Sequence, residues 1–349
     1  MPAVFADLDT GVDDAMALVY LLASPEAELV GIASTAGNVS AQQVCENNLA
    51  LLELCGRPDV PVSLGAAVPL SIPLRTAEDT HGPAGLGYAE LPAPRTQPST
   101  HDAAQAWIRA AHAHPGELIG LATGPLTNLA LALRAEPELP RLLRRLVIMG
   151  GSFDYRGNTT PVAEWNMLVD PEAAAEVFAA FDRPEGHAGE LPLVCGLNIT
   201  ESIVLTPQIL ARLGDAAGAP TRTMRPDDAP GTRSAAANPL IRVLEDAMRF
   251  YFEFHAQQDE GYLAHLHDPF AAAIALDPGL VTARAATIDV ELYGTLTRGM
   301  TVADVAGHWG RPPNAAIVVD GAAHTGRPLA EVFFDRFIAR VGPFLQRLS

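Results

Sequence analysis

The chain has 349 residues, an apolar share of 48% and a formal net charge of −18. That length can bury a large core, in one large α/β domain or two smaller ones, and the acidic balance excludes a nucleic-acid backbone or an anionic membrane as the main partner while suiting a bound cation. All 23 basic residues are arginines, none lysine, which excludes Schiff-base, pyridoxal-phosphate and P-loop-lysine chemistry.

In chain order, Ala3–Asp7 reads as an apolar strand and Asp14–Ala23 as a helix, joined by four carboxylates, Asp7, Asp9, Asp13 and Asp14. A strand at Leu29–Ser34 and a helix at Ala41–Cys55 follow. Next come the helix Asp102–His112, the strand Leu118–Ala122, the helix Asn128–Arg134, the strand Leu146–Met149, the helix Pro171–Phe181 and the strand Leu193–Leu197. The polar stretch 216–235 reads as a surface loop insertion or a lid, ahead of a long helix at Pro239–Gln257. The tail from Ala316 to Val341 reads as strand, turn and closing helix. Short buried strands alternating with helices imply an α/β fold, an open, mostly parallel, doubly wound (Rossmann-like) sheet covered on both faces. No repeat or linker divides the chain, so a single domain over 1–349 is expected. Cys45, Cys55 and Cys195 form no CxxC pair and read as reduced thiols of a cytoplasmic protein. No apolar run reaches the roughly 18 residues of a membrane span, and MPAVFADLD enters a strand without a signal-peptide pattern.

Ligands of an open parallel sheet bind beyond the carboxyl ends of its strands, where this sequence places Asp7 and Asp9, Asn38, Thr123, Gly150-Gly151 and Asn198. Asp7 and Asp9 share a face of an extended segment, and Asp13 or Asp14 caps the following helix. Oxygen ligands converging from a strand end and a helix start make a hard-cation site, Ca²⁺ or Mg²⁺. The stretch Asp7-Leu8-Asp9-Thr10 also matches the DxDxT of aspartyl-nucleophile phosphohydrolases, although that chemistry uses a basic residue, usually Lys. Further on, His267 and Asp268 open an apolar helix in HLHDPFAAAIALDP, an imidazole suited to acid catalysis beside a metal-ligating carboxylate. In GNTTPVAEWNMLVDPEAA, Asn158, Glu164 and Asn166 flank Trp165, a composition suited to a sugar.

These blocks together resemble the inosine–uridine-preferring nucleoside hydrolase family. DLDTGVDDAMAL is similar to that family's DxDxGxDDAxAL signature. GNVS, HGPAGLG, LATGPLTNLALAL, IMGG, AEWN and HDPFAAA follow in the family's order, over residues 3 to about 276. The resemblance implies hydrolysis of the N-glycosidic bond of ribonucleosides to ribose and free base through an oxocarbenium-like transition state, with one Ca²⁺ held by Asp9, Asp14, Asp268 and the backbone carbonyl of Thr123 rather than its side chain. It further implies Asp9 as general base, Asp13 orienting water and ribose, and His267 as acid for the leaving base. Asn38 and Asn166 are implied to bind ribose hydroxyls, Asn158 and Glu164 the 5′ end, Met149 to pack on the sugar, His81 to line the pocket, and Asp7 to support the cluster from behind. The preferred base stays open, with Tyr251, His255 and Tyr262 each able to reach it, and a modified N-riboside is an alternative substrate. His265 and His324 read as structural or surface residues. Asn198 stands where the family usually has Asp, which bears on the order of the metal loop. A small-molecule substrate and a homodimer or homotetramer complete the expectation, with no nucleic-acid or membrane partner.

Overall fold

In the computed structural model of the protein, residues 1–182, 190–321 and 326–348 are described; His324 lies outside them. The elements run β1 (Ala3–Leu8), α1 (Val12–Leu22), β2 (Glu28–Ser34), α2 (Ala41–Leu54), β3 (Val62–Leu64), α3 (Glu78–His81), α4 (Ala103–Ala113), β4 (Leu118–Ala122), α5 (Thr127–Ala135), α6 (Leu139–Leu142), β5 (Leu143–Met149), α7 (Trp165–Val169) and α8 (Pro171–Ala180). They continue as β6 (Leu193–Cys195), α9 (Leu197–Thr200), β7 (Val204–Leu205), α10 (Pro207–Ala216), α11 (Pro239–Gln257), β8 (Ala264–His265), α12 (His267–Leu276), β9 (Val281–Val290), β10 (Thr301–Asp304), β11 (Ala315–Gly321) and α13 (Leu329–Gln346).

One sheet takes the order β10-β9-β11-β6-β5-β4-β1-β2-β3. Pairing is parallel from β11 through β3 and antiparallel where β9 joins β11 and β10 joins β9. The fold is therefore α/β with a mostly parallel sheet. The antiparallel edge is absent from the sequence expectation, because the exposed, polar-rich run VTARAATIDV lacks the apolar continuity of a buried strand.

Alternation along β1 divides the core in two. Val4, Ala6 and Leu8 face the apolar layer of α1, α2 and α10 to α13, whereas Ala3 and Phe5 face α4, α5 and α8. Asp7 points to the second face, and the indole Nε1 of Trp107 donates to its Oδ2 at 2.7 Å. The hydroxyl of Thr35 and Nδ2 of Asn128, at 3.0 Å, donate to its Oδ1. Asp7 is thus a buried tie between β1, the end of β2, α4 and α5.

The chain leaves β1 toward β2 on one side while β4 lies on the other, so a switch point opens between β1 and β4. Both strand ends, and the N-termini of α1 and α12 (which pack against each other), meet there. The segment 216–235 has no helix or strand beyond Ala216, and its polar groups are engaged by α11. Arg249 pairs with Asp228 at 3.4 Å, and Asp246 accepts from the Ser234 amide at 2.6 Å. It lines no part of the cavity at the switch point.

Candidate active site

A cavity of about 670 Å³ opens at this switch point. Asp9, Asp13, Asn38, His81, Thr123, Met149, Asn158, Glu164, Asn166, His267 and Asp268 all line it. Asp14 is completely buried directly beneath.

The floor is acidic. The carboxylate oxygens of Asp13, Asp14 and Asp268 come within 4.8 Å of one another. Asp9 stands beside them, with its Oδ2 accepting the Asn38 amide at 3.0 Å. Gly37 is required behind it, because a Cβ there would lie 2.2 Å from that oxygen. Asp14 accepts the Gly11 amide at 2.9 Å and the Thr123 hydroxyl at 2.7 Å. It is therefore Asp14 that caps α1, from the third helical position, and the Thr123 side chain, which the sequence left idle, positions a carboxylate. The Thr123 carbonyl accepts Nδ2 of Asn166 at 2.6 Å. Two helix N-termini aimed at one point favour negative charge there. Burial nevertheless raises the pKa of Asp9 and of Asp268 far above the carboxylate range, with mutual repulsion adding to it. Asp13 is pushed up to about 7 by burial and then by Asp14. Among the described residues no arginine pairs with these four acids. An all-oxygen donor set in that condition fits a hard divalent cation. The buried Oδ1 of Asn38, which has no partner, lies at the same floor.

The wall toward α7 holds Glu164, whose carboxylate accepts the amides of Gly151, Asn166 and Met167 at 2.9, 2.9 and 3.1 Å. Burial pushes it up to about 7 against those bonds. Glu164 is therefore the cap of α7 as well as a lining group. Asn158, exposed at the mouth, accepts the Trp165 amide at 3.0 Å.

The rim is imidazole. His81 accepts the Val12 amide on Nδ1 at 3.1 Å, which leaves its N–H on Nε2, and burial lowers it to about 3. His267 Nδ1 lies 2.8 Å from the Thr200 hydroxyl, which itself donates to the Gly196 carbonyl. His267 therefore carries hydrogen on Nδ1, and burial lowers its pKa. The rings of His81, Tyr251, His255, His265 and His267 follow one another at centroid spacings of 5.5, 4.7, 5.1 and 5.9 Å. His265 is thus a cavity residue rather than a bystander. Its alternation with His267 in HLHD was the signal, since residues two apart in an extended segment share a face. Tyr251 and His255 also line the cavity; Tyr262 does not, packing on Phe252 at 5.3 Å. Sequence reasoning also missed Arg75, Arg156, Glu201 and Glu260 at the mouth, loop residues without a local pattern. Asn198 lies in a separate cavity with Ser152 and Thr301 and donates to the Val318 carbonyl at 3.0 Å.

Residues 4–325 match the family model described as inosine-uridine preferring nucleoside hydrolase. The chain is 36% identical over 321 residues to the pyrimidine-specific ribonucleoside hydrolase RihA of Citrobacter koseri, covering 92% of this chain and 93% of the relative. It is also 36% identical over 318 residues to RihA of Salmonella typhi, covering 91% and 93%. Among solved structures it resembles a purine-preferring ribonucleoside hydrolase from Gardnerella vaginalis, with TM-score 0.84, 28% identity and 99% of each chain covered. A plant nucleoside hydrolase aligns with TM-score 0.81, 30% identity and coverage of 97% and 99%. These matches, over a cavity built from the same blocks, decide between glycosidase and phosphohydrolase: the chain belongs to the inosine-uridine preferring nucleoside hydrolase family and is a ribonucleoside hydrolase.

Proposed function

We propose that the protein is a Ca²⁺-dependent hydrolase of pyrimidine ribonucleosides, acting as a single domain in the cytoplasm. The convergence of Asp9, Asp13, Asp14 and Asp268 on one floor carries the reading of the site. The curated relatives cited above, named as pyrimidine-specific, support the choice of base. Asp9, Asp14, Asp268 and the Thr123 carbonyl would hold the cation, with Asp13 close enough to share its surroundings. When bound, Ca²⁺ supplies positive charge that makes a nearby water more acidic and offsets the repulsion of the carboxylates.

Asp9, fixed by the Asn38 amide, takes the proton of the attacking water while Asp13 orients that water and a ribose hydroxyl. The water oxygen bonds C1′, the C1′–N bond breaks, and its electron pair leaves with the base. Asn38 and Asn166 bind ribose hydroxyls, Asn158 and Glu164 hold the 5′ end, and Met149 packs against the ring, so the sugar is held in a reactive geometry. The carboxylates stabilise the positive charge that develops on the sugar. His267, with its Nδ1–H held by Thr200, presents Nε2, which, once protonated from solvent, passes that proton to the departing base, and His81 and Tyr251 flank it.

The cytoplasmic reading is supported by three free, buried cysteines. No described helix is long and apolar enough to cross a membrane. A homodimer or homotetramer is supported by the family resemblance and by the exposed Tyr293 and Leu296, apolar surface that a second copy would cover. The test is reducing-sugar release from a panel of nucleosides, with and without a Ca²⁺ chelator. Faster release from uridine and cytidine than from inosine, abolished by the chelator and restored by Ca²⁺, is expected. Release only from modified ribosides would replace the substrate, and full activity after chelation would remove the metal.

A further inference from the structure

The rim carries ligating groups that the chemistry above does not use. His255 lies in the last turn of α11, Glu260 just after it and His265 on β8. One donor atom from each comes within 4.8 Å of the others. His255 is 6% exposed, and its Nδ1 bonds Glu260 Oε2 at 2.7 Å. A carboxylate accepts, so the ring carries its hydrogen on Nδ1 and its lone pair on Nε2. That Nε2 is buried and has no hydrogen-bond partner, and neither has the buried Nδ1 of His265. Buried polar atoms are rarely left unpaired, since each costs about as much as a lost hydrogen bond. Glu260 on Nδ1 lies across the ring from Nε2, so it must leave Nδ1 to share a metal with the two open nitrogens.

We propose that His255, His265 and Glu260 form a second metal site, selective for a borderline divalent cation such as Zn²⁺ and distinct from the oxygen-only floor. Two imidazoles and a carboxylate with water in the fourth position suit tetrahedral Zn²⁺ and are poor ligands for Ca²⁺, which prefers six to eight oxygens. Bonds of about 2.0–2.1 Å place tetrahedral ligands roughly 3.3 Å apart, so the three donors must draw inward. Glu260 is free to do this: its side chain is 34% exposed, and its other oxygen has only a 3.5 Å contact to Arg156. The site depends on none of the catalytic assignments, so it is read by metal uptake rather than by turnover.

The experiment titrates Ca²⁺-saturated full-length protein with ZnCl₂ in a calorimeter. About one tight equivalent is expected, retained in excess Ca²⁺. His255→Ala and His265→Ala should each weaken it by about tenfold to a hundredfold, and Glu260→Gln by about tenfold. No Zn²⁺ uptake by the wild type, displacement of Zn²⁺ by Ca²⁺, or uptake unchanged in the histidine variants would each overturn the site. The last result would assign the metal to other histidines. If a histidine variant fails to fold by circular dichroism, Glu260→Gln, altering a partly exposed side chain, carries the same test: unchanged affinity overturns the site and weakened affinity supports it.

Discussion

At the cavity floor, Asp9 and Asp14 stand at a strand end and a helix N-terminus and are met by backbone amides and a hydroxyl. At the rim, imidazoles stand ring against ring, and two of their nitrogens meet nothing. Both regions bury polar groups, but the floor rests on regular elements of the switch point while the rim rests on the end of α11 and the short strand β8. The floor's geometry follows from the fold itself. The rim's geometry follows from how one late segment lies over it, so it is free to vary with no change to the sheet.

The sharpest test of this contrast is Asp14→Ala, which removes the acid deepest in the floor. A loss of about 10³-fold in kcat/KM is expected, the size of a lost electrostatic or metal contribution, measured with uridine at saturating Ca²⁺. Activity within tenfold of wild type would detach the floor from catalysis. On the rim, His267→Ala should slow uridine about 10²-fold, as loss of a general acid does. It should barely slow p-nitrophenyl riboside, whose leaving group needs no proton. Equal losses on both would reassign His267 to orienting Asp268.

Glu164 belongs to neither region and separates charge from chemistry. Its pKa is raised by burial from 4.5 to about 7. The folded state therefore binds more protons than the unfolded chain between those values. The stability from this group is fully present below pH 4.5 and is lost as pH rises through 7. The loss is on the order of 3 kcal/mol. Thermal unfolding against pH should show that slope in the wild type and a flatter one in Glu164→Gln; parallel slopes would place the titration elsewhere. Smallest is Trp107→Phe, which strips Asp7 of one donor behind the floor. Chemical denaturation should show a loss of about 1–3 kcal/mol with kcat unchanged. A fall in kcat without a fall in stability would bring Asp7 into the site.

Much of the site was legible because its chemistry clusters in short blocks. DLDTGVDDAMAL announces its acids at the handover from β1 to α1, and HDPF supplies the remaining pair at the start of α12. The β-then-α rhythm carried most of the parallel sheet, since strands buried on both faces read as continuous apolar runs. What stayed illegible has no local period. Trp107 and Asn128 give no sign that they meet Asp7, 100 and 121 residues away. The pocket-lining Arg156 and Glu260 sit in loops.

By itself the sequence determined the α/β class, the family and the identity of the acids, because binary patterning and short motifs are local properties. Only the tertiary structure decided the rest. It put Asp14 under the floor as the cap of α1, gave the Thr123 hydroxyl a role, turned Tyr262 away from the cavity and brought His265 into it. The reason is physical: a side chain's partners depend on which helices pack together and where the chain crosses over. The packing of α1 against α12 joins residues some 250 positions apart, and no pattern in either stretch encodes the distance between them.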